Sequence, residues 1–160
     1  MQGIVIAPVM PGDVPLLDAA LRQLAADIGD DYTADQAGLG AAVCGPEASC
    51  LARLATLDGS PVGAVLAAPV FSTIRGGAGL FVSDLWVAEP ARGNGLARRL
   101  LAEILREGAR RNAGHFLKLT VYHDNPGARA AYERLGFSPS AGETNMSLTG
   151  HRLEDLKQTV

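Results

Sequence analysis

The chain has 160 residues, 48% hydrophobic and 19% charged, with net charge -3 and pI about 5.5. That length suits one domain with a real core, and that composition excludes a disordered or fibrous chain. The weakly acidic balance excludes a general attraction to nucleic acid or membrane surfaces, and no window approaches the roughly 18 apolar residues that a membrane span needs.

QGIVIAPV (2–9) is short and β-branched, and it reads as a strand. Asp13 caps the helix expected next, with Pro15 near its first turn and Leu16, Leu17, Ala20, Leu21, Leu24 and Ala25 on the helical period. TADQAGLGAAVCG (33–45) reads as a second helix with Thr33 as its cap. CLARLATLDGSPVGAVLAAPVF (50–71) reads as a hairpin turning at Asp58-Gly59. STIRGGAG (72–79) is a loop, and GLFVSDLWVAE (79–89) is a strand ended by Pro90. Gly95 to Ala113 is the strongest helix, with Ala97, Leu100, Leu101, Ile104, Leu105 and Ala109 as its stripe. HFLKLTVY (115–122) is a strand, and NPGARAAYERLGF (125–137) is a helix capped by Asn125 with Gly136 past its end. ETNMSLTG (143–150) alternates as a last strand, and the tail HRLEDLKQTV is a short or frayed helix. The mixed order points to an α/β or α+β arrangement around one sheet.

Cys44 and Cys50 form no CxxC pair, and no Cys/His cluster has zinc spacing, so no metal site is expected. MQGIVIAPVMPGD lacks the basic region and long apolar run of a signal peptide, and two reduced cysteines suit a cytoplasmic protein, so that location is expected.

ARGNGLARRLL (91–101) carries the first chemical hint. A glycine loop opening a helix turns backbone N–H groups toward an anion, and the helix dipole adds partial positive charge. Gly93 and Gly95 remove Cβ atoms from that surface, and Arg92 adds a cation. A dinucleotide fingerprint would need a third glycine where Arg98 sits, and a P-loop would need Gly-Lys-Ser/Thr. Both are missing, which leaves a coenzyme A site or a plain turn.

SDLWVAEPARGNGLARRLL resembles the signature of the GNAT N-acetyltransferase superfamily, with Arg92, Gly93, Asn94, Gly95, Leu96 and Ala97 at the positions of Gln/Arg-x-x-Gly-x-Gly/Ala. LTVYHDNPGARAAYERLGF resembles that family's second block. The order of elements over residues 3 to 149 is similar too. The resemblance implies one GNAT domain over 1–160 with a 150–160 tail. It implies a mixed sheet of six to seven strands, splayed parallel middle strands (79–88 and 115–122), and about four flanking helices. It implies acetyl-CoA as cofactor, with the backbones of Leu85, Trp86 and Val87 along the pantetheine arm, the amides of 92–97 on the pyrophosphate, and Asn125 beside the arm. Tyr132 takes the position of the family's general acid, and its phenol suits protonation of a thiolate. Similar enzymes are often dimers, so a homodimer is expected.

Asp84 is the candidate base or substrate anchor, since a carboxylate in the strand GLFVSDLWV needs a reason to be there. His123 and Asp124 follow the second strand and stand as solvated loop residues or site residues, and Asp30, Asp31 and Tyr32 as acceptor-site residues or a solvated turn. FSTIRGGAGLFVSDLWV (71–87) resembles the diamine (spermidine/spermine, thialysine) acetyltransferases, and DYTADQAGL (31–39) resembles their substrate side more loosely. Here the acidic pair is reduced to Ser83-Asp84, and HDN stands where those enzymes carry Trp-Asn. Fewer carboxylates attract a polycation less, so the reading is a small molecule's primary amine. Protein or peptide N-acetylation and a non-catalytic coenzyme A-binding regulator stay open as alternatives.

Overall fold

The computed structural model describes residues 3–159. The element order is β1 Val5–Pro8, α1 Val14–Ile28, α2 Gln36–Val43, β2 Leu51–Leu57, β3 Ser60–Ser72, β4 Gly77–Val87, α3 Leu96–Arg110, β5 Leu117–Leu119, α4 Pro126–Arg134 and α5 His151–Lys157. The strands form one mixed sheet in the order β1-β2-β3-β4-β5, antiparallel until the last pair, which is parallel. The expected six to seven strands are therefore five, and the expected four helices are five.

The chain forms two compact units, one up to Pro126 and one from Gly127 onward. The first holds the sheet. Its β2–β3 hairpin turns on Asp58 and Gly59, both with positive φ (48° and 79°), as a two-residue turn requires. Helix α1 buries Val14, Leu17, Ala20 and Leu21 in a cluster with Leu39 of α2, Leu54, Ala64 and Trp86, and Ala25 is buried as well. Helix α3 covers the opposite face: a Cβ on Gly63 would touch Leu96 and Leu100, while its neighbour Ala64 belongs to the α1 cluster. Strand alternation thus assigns the two faces. Leu80, Leu96, Leu100, Ile104 and Val65 are fully buried. Helix α2 starts later than expected, because Asp35 and not Thr33 caps it, accepting a hydrogen bond from the Gly38 N–H at 2.7 Å. Strand β4 starts at Gly77, so the loop is shorter than 72–79.

The second unit holds the body of α4 and all of α5. Gly136 (φ 97°) follows α4, and the Phe137 N–H bonds the Tyr132 carbonyl at 3.0 Å. The rings of Tyr132 and Phe137 meet edge to face, 5.7 Å between centroids. Residues 143–149 form no strand. Their alternation is real, but the described part of this unit offers no other strand to pair with, and an isolated strand is not stable.

Among the described residues no helix is long and apolar enough to cross a membrane.

Candidate functional site

Strand β4 changes character at Ser83. Leu66 of β3 pairs with Asp84 and the next residue, Ala67, pairs with Val82, so Ser83 is an extra residue, a β-bulge. The bulge reverses the alternation. Before it, Leu80 and Val82 point toward α3; after it, Asp84 and Trp86 point toward α1.

The pairing changes at the same place. β5 pairs with Leu80, Phe81 and Val82 and goes no further, which is why the strand expected at 115–122 shrinks to 117–119. Beyond the bulge, among the described residues, no strand pairs with the far edge of β4. The Ala88 N–H donates to the Val62 carbonyl at 3.0 Å, toward β3. By alternation, the backbone groups of Trp86 also face β3, and those of Leu85 and Val87 face the open edge.

At the end of that edge lies the loop 92–95. Gly93 and Gly95 have φ of 77° and 76°, which any other residue adopts only with strain. A Cβ on either would project into open space. Gly95 caps α3 without a side-chain bond, so the first amides of the helix, from Leu96 and Ala97 on, stay available to an anion. The donor set fits a phosphate or pyrophosphate. Asn94 closes the loop internally, its Nδ2 donating to the Arg92 carbonyl at 3.0 Å. The Arg92 guanidinium turns the other way: Nε donates to the Val87 carbonyl (2.9 Å) and Nη2 to Asp27 Oδ2 (2.7 Å).

Asp84 lies on the α1 face, half-buried, and burial pushes its carboxyl up from the usual range while the Ser83 hydroxyl opposes the rise. Tyr32 shares this neighbourhood. Its phenol is pushed up to about 12, first by burial, then by its bond to Asp18, with the charge of Asp84 contributing. Asp18 is a residue that sequence reading missed. It is 4% exposed on the apolar stripe of α1 and accepts from Arg22 Nε (2.8 Å), Tyr32 Oη (2.8 Å) and Gln36 Nε2 (3.3 Å). The available signal was a carboxylate at position 18 among apolar 14, 17, 21 and 25, with an arginine one turn on. The loop carrying Tyr32 has a second tie: Tyr122 Oη donates to Asp30 Oδ2 at 2.8 Å. Asp31, His123 and Asp124 are exposed. Asn125 is half-buried, and its N–H bonds the Tyr122 carbonyl at 3.1 Å. Tyr132 lies in the second unit, half-buried, with its hydroxyl pushed up by burial.

Three comparisons bear on this site. The acetyltransferase (GNAT) family profile matches residues 18–137. Over 69 residues the sequence is 39% identical to N-alpha-acetyltransferase 40 of Saccharomyces cerevisiae, covering 39% of this chain. The match spans about a quarter (24%) of the length of that curated relative. Among solved structures, a ribosomal-protein-alanine N-acetyltransferase from Brucella melitensis superposes with a TM-score of 0.72 at 19% identity, covering 91% of this chain and 100% of the other. An aminoglycoside N-acetyltransferase in complex with CoA superposes with a TM-score of 0.73 at 15% identity, covering 92% and 95%. At those identities the superpositions speak for the fold.

Proposed function

The chain belongs to the acetyltransferase (GNAT) family, acyltransferases that use acetyl-CoA, and from that premise we propose that it acetylates the primary amine of a small molecule by direct attack. The observation that carries this reading is one continuous surface: an unpaired β4 edge running into a glycine-opened helix N-terminus. An elongated ligand with amides at one end and a pyrophosphate at the other matches that surface. On this reading the backbone of Leu85 and Val87 lies along the pantetheine arm, with Trp86 between them turned toward β3. The amides of Gly93, Asn94, Gly95, Leu96 and Ala97 surround the pyrophosphate, and Asn125 lies beside the arm; the Arg92 amide, expected among them, instead donates to the Glu89 carbonyl at 3.1 Å.

Acetyl-CoA supplies the activated acyl thioester, and the protein manages protons and charge. An alkyl ammonium with pKa about 10.4 must lose a proton before it can attack. On this reading Asp84 accepts that proton or anchors the ammonium, and its carboxyl, raised by burial, supports the role. The Val87 N–H, on the open edge, is a donor for a developing oxyanion. The leaving thiolate needs a proton, and Tyr132, assigned by its place in the motif, carries one at its phenol. Asp84 and the Asp30–Tyr32 loop give the acceptor side an acidic character suited to a cationic amine. The 71–87 segment resembles the diamine acetyltransferases, and with the acidic pair reduced to Ser83-Asp84 the reading stays at a small primary amine and not a polyamine.

One observation favours a second reading. The 69-residue match to an N-alpha-acetyltransferase supports a protein N-terminus as acceptor. Calorimetric titration with acetyl-CoA, beside the Arg92→Ala/Gly95→Glu variant, tests the cofactor site. Micromolar binding that the variant loses supports the site; no binding by folded wild type removes the reading. Thiol release with a panel of small amines and N-terminal peptides then decides the acceptor.

A further inference from the structure

The sequence cast Arg92 as a cation for the pyrophosphate, yet its guanidinium is already spoken for. Its Nη2 and the Trp86 indole Nε1 both donate to Asp27 Oδ2, at 2.7 and 3.2 Å. Gln23 Nε2 donates to the other carboxylate oxygen at 2.9 Å, which fixes the plane of the group. Arg92 Nε meanwhile holds the Val87 carbonyl. A single carboxylate on the last turn of α1 thus joins α1, the end of β4 and the first residue of the glycine loop.

The loop has little else to hold it. Gly93 and Gly95 have no side chains, and Asn94 bonds within the loop. Among the described residues, Arg92 is its side-chain link to the sheet and to α1. A planar fork with two bonds in different directions sets an angle as well as a position, which a single ammonium does not.

We infer that Asp27 is a positioning residue for the cofactor loop: through Arg92 it sets the amides of residues 93–97 in line with the open edge of β4. This rests on the acetyl-CoA reading above and deepens it. Asp27 touches neither the reacting atoms nor the phosphate. Its carboxyl is held below the usual range, chiefly by the Gln23 bond and also by Trp86 and Arg92, against burial, so it stays charged at working pH. The pair borders a cavity of about 480 Å³ lined in part by Gln23, Trp86, Glu89 and Pro61. Arg92 therefore has room to swing away once the carboxylate no longer holds it.

The sign of one effect separates this from the alternatives. Acetyl-CoA affinity is measured by calorimetry for wild type, Asp27→Asn, Arg92→Lys, Arg92→Ala and the Asp27→Asn/Arg92→Ala double variant. Positioning predicts that Asp27→Asn weakens binding by about tenfold, near 1.4 kcal/mol. It also predicts that Arg92→Lys is as poor as Arg92→Ala, and that Asp27→Asn adds nothing in the Arg92→Ala background. Steady-state kinetics then show a raised KM for acetyl-CoA with kcat and the amine KM unchanged. Tighter binding by Asp27→Asn would mean that Asp27 merely neutralises a phosphate-seeking cation, and the inference falls. It falls also if Arg92→Lys binds as wild type, or if Asp27→Asn lowers Tm at unchanged affinity. Should Asp27→Asn not fold, the Lys–Ala comparison at the exposed Arg92 decides alone. Wild type that binds no acetyl-CoA would sink the functional reading itself, a distinct result.

Discussion

The two halves of β4 are built from similar residues and do different work. Leu80 to Val82 pair with β3 on one side and β5 on the other, and Leu80 and Val82 pack beneath α3. Asp84 to Val87 pair with β3 alone among the described strands, and on their other edge the Val87 carbonyl accepts from Arg92 Nε. One extra residue, Ser83, separates the halves. It ends the parallel ladder and turns the even-numbered side chains to the other face. On the proposed reading, withholding a strand from the sheet leaves the place of an extended ligand, since open sheet edges invite pairing.

The widest gap between the halves is expected at Asp84. Asp84→Asn should lower kcat by about 10²–10⁴-fold, the usual range for lost acid–base help, as read by thiol release. Its effect on stability has the opposite sign. A carboxyl raised above its ordinary value costs stability as pH climbs through the raised pKa, because the folded state then gives up a proton it holds better than the unfolded state does. The neutral asparagine escapes that cost, so Tm at pH 7 should hold or rise. Full activity in Asp84→Asn would reduce Asp84 to a tolerated polar residue.

The reversal at Ser83 also marks how far the sequence can be read. An unbroken strand GLFVSDLWV puts Leu80, Val82, Asp84 and Trp86 on one face, and nothing in the letters places a bulge. The hairpin at Asp58-Gly59, the α1 stripe and the glycine-opened α3 were legible because each rests on local chemistry: φ at a turn, period along a helix, a missing Cβ. Leu96 and Gly108 of the α3 face were missed. Gly108 is buried because a Cβ there would lie 2.7 Å from Leu80, a tertiary fact that a glycine in a helix does not announce. The strand at 143–150 failed for a related reason: alternation supplies a pattern but not a partner. At the glycine loop, position in the motif named Arg92 as a cation for the pyrophosphate, whereas its guanidinium bonds Asp27 and the Val87 carbonyl. For Asp27 the local partner Gln23, one turn back, gives no hint of the role, since Trp86 and Arg92 lie 59 and 65 residues away.

A second carboxylate sharpens the contrast by moving the other way. Glu107, near the C-terminus of α3, is held at about 2 by bonds to Arg110 and Arg111, with Arg53 adding to the effect against burial. Arg53 is 6% exposed and reaches Glu107 at 3.1 Å, so this cluster ties β2 to α3. A depressed carboxyl stabilises above its unfolded value and loses that stability as pH falls through the folded one. The window here runs from about 4.5 down to about 2, and the contribution is on the order of 2–3 kcal/mol. Glu107→Gln should lose that much at pH 7 by denaturant midpoint and flatten the acid limb of stability. KM for acetyl-CoA should not change. An unchanged acid limb would show that the arginines are solvated and the cluster contributes little.

The paired half of β4 supplies the smallest effect and the cleanest separation. At Gly79 a Cβ would overlap the Phe116 carbonyl oxygen and lie 2.6 Å from its ring, both part of the chain entering β5. The backbone cannot yield without loosening the β4–β5 ladder, since the Leu80 N–H bonds that same carbonyl at 2.9 Å. Gly79→Ala should therefore cost about 1–3 kcal/mol, the range for overpacking. At Gly77, two residues earlier, the atoms nearest a Cβ belong to the His115 side chain, Cγ at 3.1 Å and Cβ at 3.3 Å, a tight contact but not an overlap with backbone. Gly77→Ala should cost less than Gly79→Ala, about 1 kcal/mol. Neither should alter kcat per folded molecule, because neither touches the edge beyond Ser83. If Gly79→Ala instead raised KM for acetyl-CoA at full stability, the ladder and the open edge would be one mechanical element, and the division of β4 at the bulge would not hold.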